Sequence, residues 1–239
     1  MNKFLSESIN DRGLFKAIFV VGMPGAGKSY TISKLSGQIA PRVVNTDRAT
    51  EFLAAKTGET ITPQTWFQYK DTAQRITLKS LANYVNGMLP LFIDGTSNNI
   101  PIILKRMSIL HSFGYDVGLI SVHAPLETAL QRAEERAQKI GRTVDADFIR
   151  KVADQNKKHI AALRQRVSFF VEINNDSYNI DDSTLTAAFS KSAQFFNSPV
   201  ENSFGQEVLA QLQQAHAAYM VPDIMSQSML EQNISGWYR

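Results

Sequence analysis

The chain has 239 residues, with 25 Lys and Arg against 22 Asp and Glu for a net charge of +3, and is 44% hydrophobic and 20% charged. This is ordinary globular usage, which excludes wholesale disorder, and the length suits one large domain or one domain with an appendage. The absence of cysteine excludes thiol catalysis, disulfides and thiolate metal sites. No apolar run approaches the ~20 residues that span a bilayer, and the opening MNKFLSESINDRG lacks the cationic-then-apolar order of a secretory leader. These features predict a soluble, cytoplasmic protein with no membrane partner. Charge is uneven: residues 183–239 carry Lys191 and Arg239 against Glu201, Glu207, Asp223 and Glu231, a net −2, which leaves +5 on the first 182 residues. Such an excess suits an anionic substrate.

In chain order, short β-type runs alternate with amphipathic helical patterns. Strands are predicted at Ala17–Val21, Val43–Val44, Leu91–Ile93, Val117–His123 and Phe169–Ile173. Helices are predicted over 28–39, 48–56, 64–87, 100–112, 126–139 and 146–167. Alternation of this kind predicts an α/β fold, a mostly parallel sheet flanked by helices. Residues 184–195 and 205–219 read as two further helices separated by Asn197-Ser198-Pro199, and the stretch from Met220 has no clear period. We therefore expect a domain over 1–182 and a helical extension over 183–239, whose apolar residues Phe189, Phe195, Phe196, Leu209 and Leu212 point to packing on the core.

The most specific motif is Gly22-Met23-Pro24-Gly25-Ala26-Gly27-Lys28-Ser29, a full match to G-x-x-x-x-G-K-[ST] between a strand and a helix. Glycines let successive backbone N–H groups converge on phosphate oxygens, and the helix that follows aims its positive end at the same anion. Lys28 is placed to reach the β/γ oxygens and the Ser29 hydroxyl to enter a Mg²⁺ shell. The fold is thus expected to be of P-loop NTPase type, using ATP and Mg²⁺. Tyr30, next in the chain, and Arg142 are further candidate nucleotide contacts.

Two aspartates follow strand carboxyl ends, where open α/β sheets bind ligands. Asp47 stands in the polar burst Asn45-Thr46-Asp47-Arg48 and is the candidate general base. It is also a candidate N-cap for the helix it precedes. Asp94 opens Asp94-Gly95-Thr96-Ser97-Asn98-Asn99. A phosphatase D-x-D-G-T motif is excluded because Phe92 holds the nucleophile position, leaving Asp94 as a candidate metal or substrate ligand with Thr96 and Asn98 beside it.

Phosphoryl transfer also needs guanidinium groups for the charge that develops. Arg132 and Arg136, four apart on one predicted helix, share a face, and Arg142 follows Gly141 at its end. Further on, Arg150, Lys157 and Arg164 fall every seventh residue, with Lys151 and Lys158 alongside. That stripe is either a track for polynucleotide phosphates or a solvated face. Trp66, Phe67 and Tyr69 are candidate stacking platforms or core residues of their helix.

Together these residues resemble the polynucleotide kinase/zeta-toxin branch of P-loop kinases, most strongly the kinase domain of phage polynucleotide kinases. Four blocks carry the resemblance across about residues 15–180: Gly22–Ser29, Val44–Arg48, Ile93–Asn98, and Val122–Arg142 with Thr143-Val144-Asp145. The resemblance implies Lys28 and Ser29 at ATP·Mg, Asp47 as general base, Asp94 near the acceptor, and Arg132 or Arg136 as the arginine of a mobile lid. Where this branch commonly has an acceptor-binding arginine three residues after the base, this chain has Thr50, and the nearby Arg48 is the candidate substrate-binding arginine. No phosphatase domain is expected beside the kinase blocks. The branch includes phage kinases that act on hydroxymethylated pyrimidines in DNA, as well as zeta-type kinases of sugar nucleotides. The leading expectation is an ATP-dependent kinase acting on a hydroxyl of nucleic acid, DNA before RNA, at a 5′ end or a modified base. The alternatives are a small-molecule kinase of nucleosides or sugar nucleotides, and a nucleotide-dependent regulatory protein. The family leaning makes a phage protein acting in a host cytoplasm a reasonable expectation.

Overall fold

The computed structural model describes residues 11–37, 40–140, 143–176 and 180–217. Five strands, β1 (Lys16–Val21), β2 (Arg42–Val44), β3 (Leu91–Asp94), β4 (Asp116–His123) and β5 (Phe169–Asn174), form one sheet in the order β2-β3-β1-β4-β5. Every pairing is parallel. The three inner strands are almost continuously buried, which is why they read as unbroken apolar runs rather than as alternating ones.

Successive residues of a strand point to opposite faces, and β1 shows it. Ala17, Phe19 and Val21 join one apolar core with Leu81, Met107 and Val208, while Ile18 and Val20 join a second with Ile32, Val152 and Phe196. Among the described residues the helices are α1 (Lys28–Leu35), α2 (Thr46–Thr57), α3 (Pro63–Asn86), α4 (Ile100–Ser112), α5 (Leu126–Ile140), α6 (Ala146–Arg164), α7 (Asp182–Asn197) and α8 (Ser203–Ala217). Among them α1, α5 and α7 contribute to the second core, and α3, α4 and α8 to the first. The amino half of α6 enters the second and its carboxyl half the first, through Ile149 and Val152, then Ile160 and Leu163.

Local sequence explains the helix bounds. The Asn45 side chain caps α2, with Oδ1 accepting from the backbone N–H of Asp47 at 2.8 Å and of Arg48 at 3.4 Å. The cap is therefore Asn45 and not Asp47: the helix starts two residues earlier than the sequence pattern predicts, and Asp47 lies in its first turn. Gly58, left-handed at φ 73°, ends α2, and a reciprocal Thr62–Thr65 capping box opens α3. α6 stops at Arg164, short of the predicted 167.

α7 and α8 pack on the sheet. Phe195 and Phe196 are buried, and Phe196 meets Phe92 edge to face with ring centres 5.6 Å apart. The linker between the two helices closes over the amino ends of β1 and β4. There Lys16 and Asp116, partners in the strand register, form a buried ion pair at 2.6 Å. Lys16 Nζ also donates to Ser198 Oγ (3.0 Å) and the Pro199 carbonyl (2.8 Å). Asp116 accepts from the backbone N–H of Glu201 and of Asn202, both at 2.8 Å. Among the described residues no helix is long and apolar enough to cross a membrane.

Candidate active site

The outgoing connections of β1 and β4 run in opposite directions, and such a reversal opens a crevice at strand carboxyl ends. A cleft of about 980 Å³ lies there. The loop after β1 wraps its floor. Gly25 has φ 82°, and a Cβ on it would stand 2.2 Å from the Ala129 carbonyl oxygen, so only glycine fits. Gly27, at φ 95°, occupies the N-cap of α1 and makes no side-chain cap bond; the amides of the first turn are thereby presented toward the cleft. Met23 and Ala26 turn their side chains into the second core and anchor the loop. Lys28 Nζ donates to the carbonyls of Gly22 (3.0 Å) and Met23 (3.1 Å), while Pro24, Gly25, Gly27, Lys28, Ser29 and Tyr30 line the cleft.

The carboxylates arrive from neighbouring strand ends. Asp94 ends β3, and its Oδ2 accepts from Ser29 Oγ (3.3 Å) and from Asn45 Nδ2 (2.7 Å). Asn45 thus does two things: its oxygen caps α2, which sets the start of the turn bearing Asp47, and its amide nitrogen orients Asp94. Asp47 lines the same cleft. So do Thr96 and Asn98, whose side chains are joined by a hydrogen bond of 2.6 Å. Beneath this loop buried Ser97 donates through its hydroxyl to Asn156, and its carbonyl accepts from His159. Asn156 in turn contacts His123 at 3.4 Å, so α6 and β4 both support the loop that follows Asp94.

From α5, Arg132 and Arg136 both reach the cleft. Arg132 Nη1 donates to the Gly25 carbonyl (3.3 Å) and Nη2 to Asn175 Oδ1 (3.1 Å). Arg142 lies outside the described residues. Arg48 is exposed on α2 and does not line the cleft; the arginine that does so on that side is Arg106 of α4. Arg106 carries no motif, and only its helical offset from the Asp94 loop could have singled it out. Trp66 and Phe67 also line the cleft, with ring centres 5.3 Å apart and planes at 88°. The basic positions of α6 do not: Arg150 pairs with Asp147 at 2.8 Å and Arg164 lies over the Phe170 ring at 4.8 Å.

A parallel five-stranded sheet with this loop after its central strand, and with carboxylates at the adjacent strand ends, is the architecture of a P-loop kinase. Residues 5–185 match the Zeta toxin family, and the chain belongs to that family. It is a phosphotransferase that takes a hydroxyl as acceptor. A candidate kinase from Chloroflexus aurantiacus shares the fold at a TM-score of 0.55 and 16% identity, over 76% of this chain and 98% of that one. Looser likenesses are a shikimate kinase from Acinetobacter baumannii (TM-score 0.44, 17% identity, 76% of this chain and 93% of that one) and the Pnkp1/Rnl/Hen1 RNA repair complex (0.48, 16%, 67% and 48%). No curated protein matches the chain significantly.

Proposed function

We propose that the protein is an ATP- and Mg²⁺-dependent kinase in which Asp47 is the general base on the acceptor hydroxyl. The observation that carries this reading is the convergence of Lys28, Ser29, Asp47 and Asp94 in one cleft. The donor chemistry fits the nucleotide and its metal. One hydroxyl and one carboxylate, Ser29 and Asp94, suit a cation that keeps water and phosphate oxygens as most of its shell, as Mg²⁺ does. Among the described residues no cluster of three or more His, Asp or Glu competes with this pair as a metal site.

When bound, ATP·Mg supplies the phosphoryl group and the positive charge that offsets its oxygens. Lys28 exchanges the Gly22 and Met23 carbonyls for phosphate oxygens, since a charged acceptor makes the stronger hydrogen bond. Asp47 takes the acceptor's hydroxyl proton on a carboxylate oxygen as the new O–P bond forms and the bond from the γ-phosphorus to the β,γ-bridging oxygen breaks, with ADP leaving. Arg132 and Arg136 present guanidinium groups to the charge that grows on the moving phosphoryl group.

For the acceptor we favour a hydroxyl on nucleic acid, in keeping with the phage polynucleotide kinase-like blocks of the sequence. Support comes from the cleft lining, in which Trp66 and Phe67 offer aromatic surface for a base and Arg106 a cation for a phosphate. A small-molecule acceptor is the second reading, favoured by the basic face of α6 lying outside the cleft. The test is transfer of label from γ-labelled ATP with Mg²⁺ to a 5′-hydroxyl oligonucleotide, to a duplex carrying hydroxymethylpyrimidines, and to nucleosides and sugar nucleotides. Label on a DNA substrate supports the first reading. Label only on a small molecule replaces it, and ATP binding without transfer to any acceptor rejects both.

A further inference from the structure

Asn175, just past β5, is 4% exposed and belongs to no recognisable motif, yet its side chain bonds to the phosphate loop. Its Nδ2 donates to the Ala26 carbonyl at 2.8 Å, and its Oδ1 accepts from Arg132 Nη2 at 3.1 Å. Its own backbone N–H donates to the His123 carbonyl at 2.7 Å, which fixes the residue to the end of β4. Gly27 makes room for the amide: a Cβ there would stand 2.2 Å from Asn175 Nδ2.

We infer that Asn175 is a positioning residue that holds the Arg132 guanidinium at the γ-phosphate and ties that placement to the phosphate loop. The inference rests on the proposed nucleotide reading of the cleft. An arginine side chain has several rotatable bonds, and a guanidinium stabilises developing charge only if its orientation is settled before the reaction. Here two acceptors on separate elements, the Gly25 carbonyl and Asn175 Oδ1, hold the guanidinium through different nitrogens. The amide is the side chain the position needs, because one end must donate to a carbonyl while the other accepts from a cation. Aspartate keeps the acceptor for Arg132 but sets an oxygen against the Ala26 carbonyl. Alanine keeps neither contact.

The test compares calorimetric binding of a non-hydrolysable ATP analogue and of ADP to the full-length wild type, Asn175→Ala, Asn175→Asp, Arg132→Ala and the Asn175→Ala/Arg132→Ala double variant. The ratio of the two affinities reads the γ-phosphate, and the double variant separates an effect carried by Arg132 from one carried by the loop, whose Lys28 also faces the β/γ oxygens. Asn175→Ala is expected to lower this triphosphate preference about tenfold, the size of one hydrogen bond to a charged group, and to leave it unchanged once Arg132 is alanine. Asn175→Asp, which also guards against a misfolded alanine variant, is expected to keep the preference while weakening both ligands. Overturning results are a wild type without triphosphate preference, an equal loss with and without Arg132, or an aspartate variant that behaves like the alanine one. A chain that binds the analogue as expected but transfers no label rejects the kinase reading and leaves the role of Asn175 decided by the binding data.

Discussion

At the amino end of β1, Lys16 is 1% exposed and directs its ammonium at a carboxylate, a hydroxyl and a carbonyl. Past the carboxyl end of the same strand, Lys28 rests on two carbonyls of the loop that precedes it. A lysine has three N–H donors, and in Lys16 all three meet protein groups, one of them charged. Carbonyls are weaker acceptors than phosphate oxygens, so in the proposed reading Lys28 gives up these two carbonyls for a ligand at a gain, whereas Lys16 could do so only by exposing Asp116. In the proposed reading the same residue type is a clasp at one end of the sheet and a ligand group at the other, and its partners decide which.

Substitutions should separate the two ends. Lys28→Ala is expected to bring transfer from γ-labelled ATP down about 10³-fold or more while the melting temperature stays near wild type; retained turnover would break the contrast. Asp47→Asn comes next, with a loss of about 10²–10⁴-fold and nucleotide affinity preserved, because the side-chain shape persists without the base. At the other end, Asp116→Ala should cost about 3–5 kcal/mol of stability, read by denaturant titration, since it strands a buried ammonium and two backbone N–H groups. Turnover per folded molecule should survive it. Asp181, capping α7, gives a smaller effect. Its carboxyl is held below the ordinary 3.8 by hydrogen bonds from the Ser183 hydroxyl and the Thr184 amide. A depressed acid stabilises the fold above its unfolded value and loses that contribution as pH falls through the folded one. The melting-temperature gap between wild type and Asp181→Ala should therefore close on acidification below pH 3.8. Smallest of all, Arg150→Ala/Lys157→Ala/Arg164→Ala should leave transfer to a short acceptor within about twofold, as expected of exposed charges; a larger loss would make the α6 face part of the acceptor site.

What could be read from sequence was whatever lay within a few residues of its own signal. The glycine spacing of residues 22–29, the apolar strand runs and the aspartates just past two of them all announced themselves locally, and the parallel sheet followed from the alternation. The α2 cap was misplaced because Asn45 and Asp47 are both good capping residues, and only the backbone decides between them. Arg48 was singled out for its nearness to Asp47 along the chain, but α2 turns it outward and α4 brings in Arg106. Asn175 and Lys16 were invisible for a different reason. Each is defined by partners far along the chain (Ala26 and Arg132 for one, Asp116 for the other), and nothing in an asparagine after a strand, or a lysine at the start of one, encodes those distances.

The clasp on Lys16 also has a consequence for the order of folding. Ser198 and Pro199 lie 182 and 183 residues beyond Lys16. At a synthesis rate of roughly 5–20 residues per second, the lysine waits roughly 9–36 s for the groups that complete its surroundings. During that interval β1 can pair with β4, yet Lys16 and Asp116 at the edge of that pairing remain in water. The faces that Phe196 and Val208 will cover stay open as well. The nascent chain therefore carries its phosphate loop, Asp47 and its central strands before it can seal them, and a ribosome that stalls short of α8 holds an apolar sheet surface suited to a chaperone.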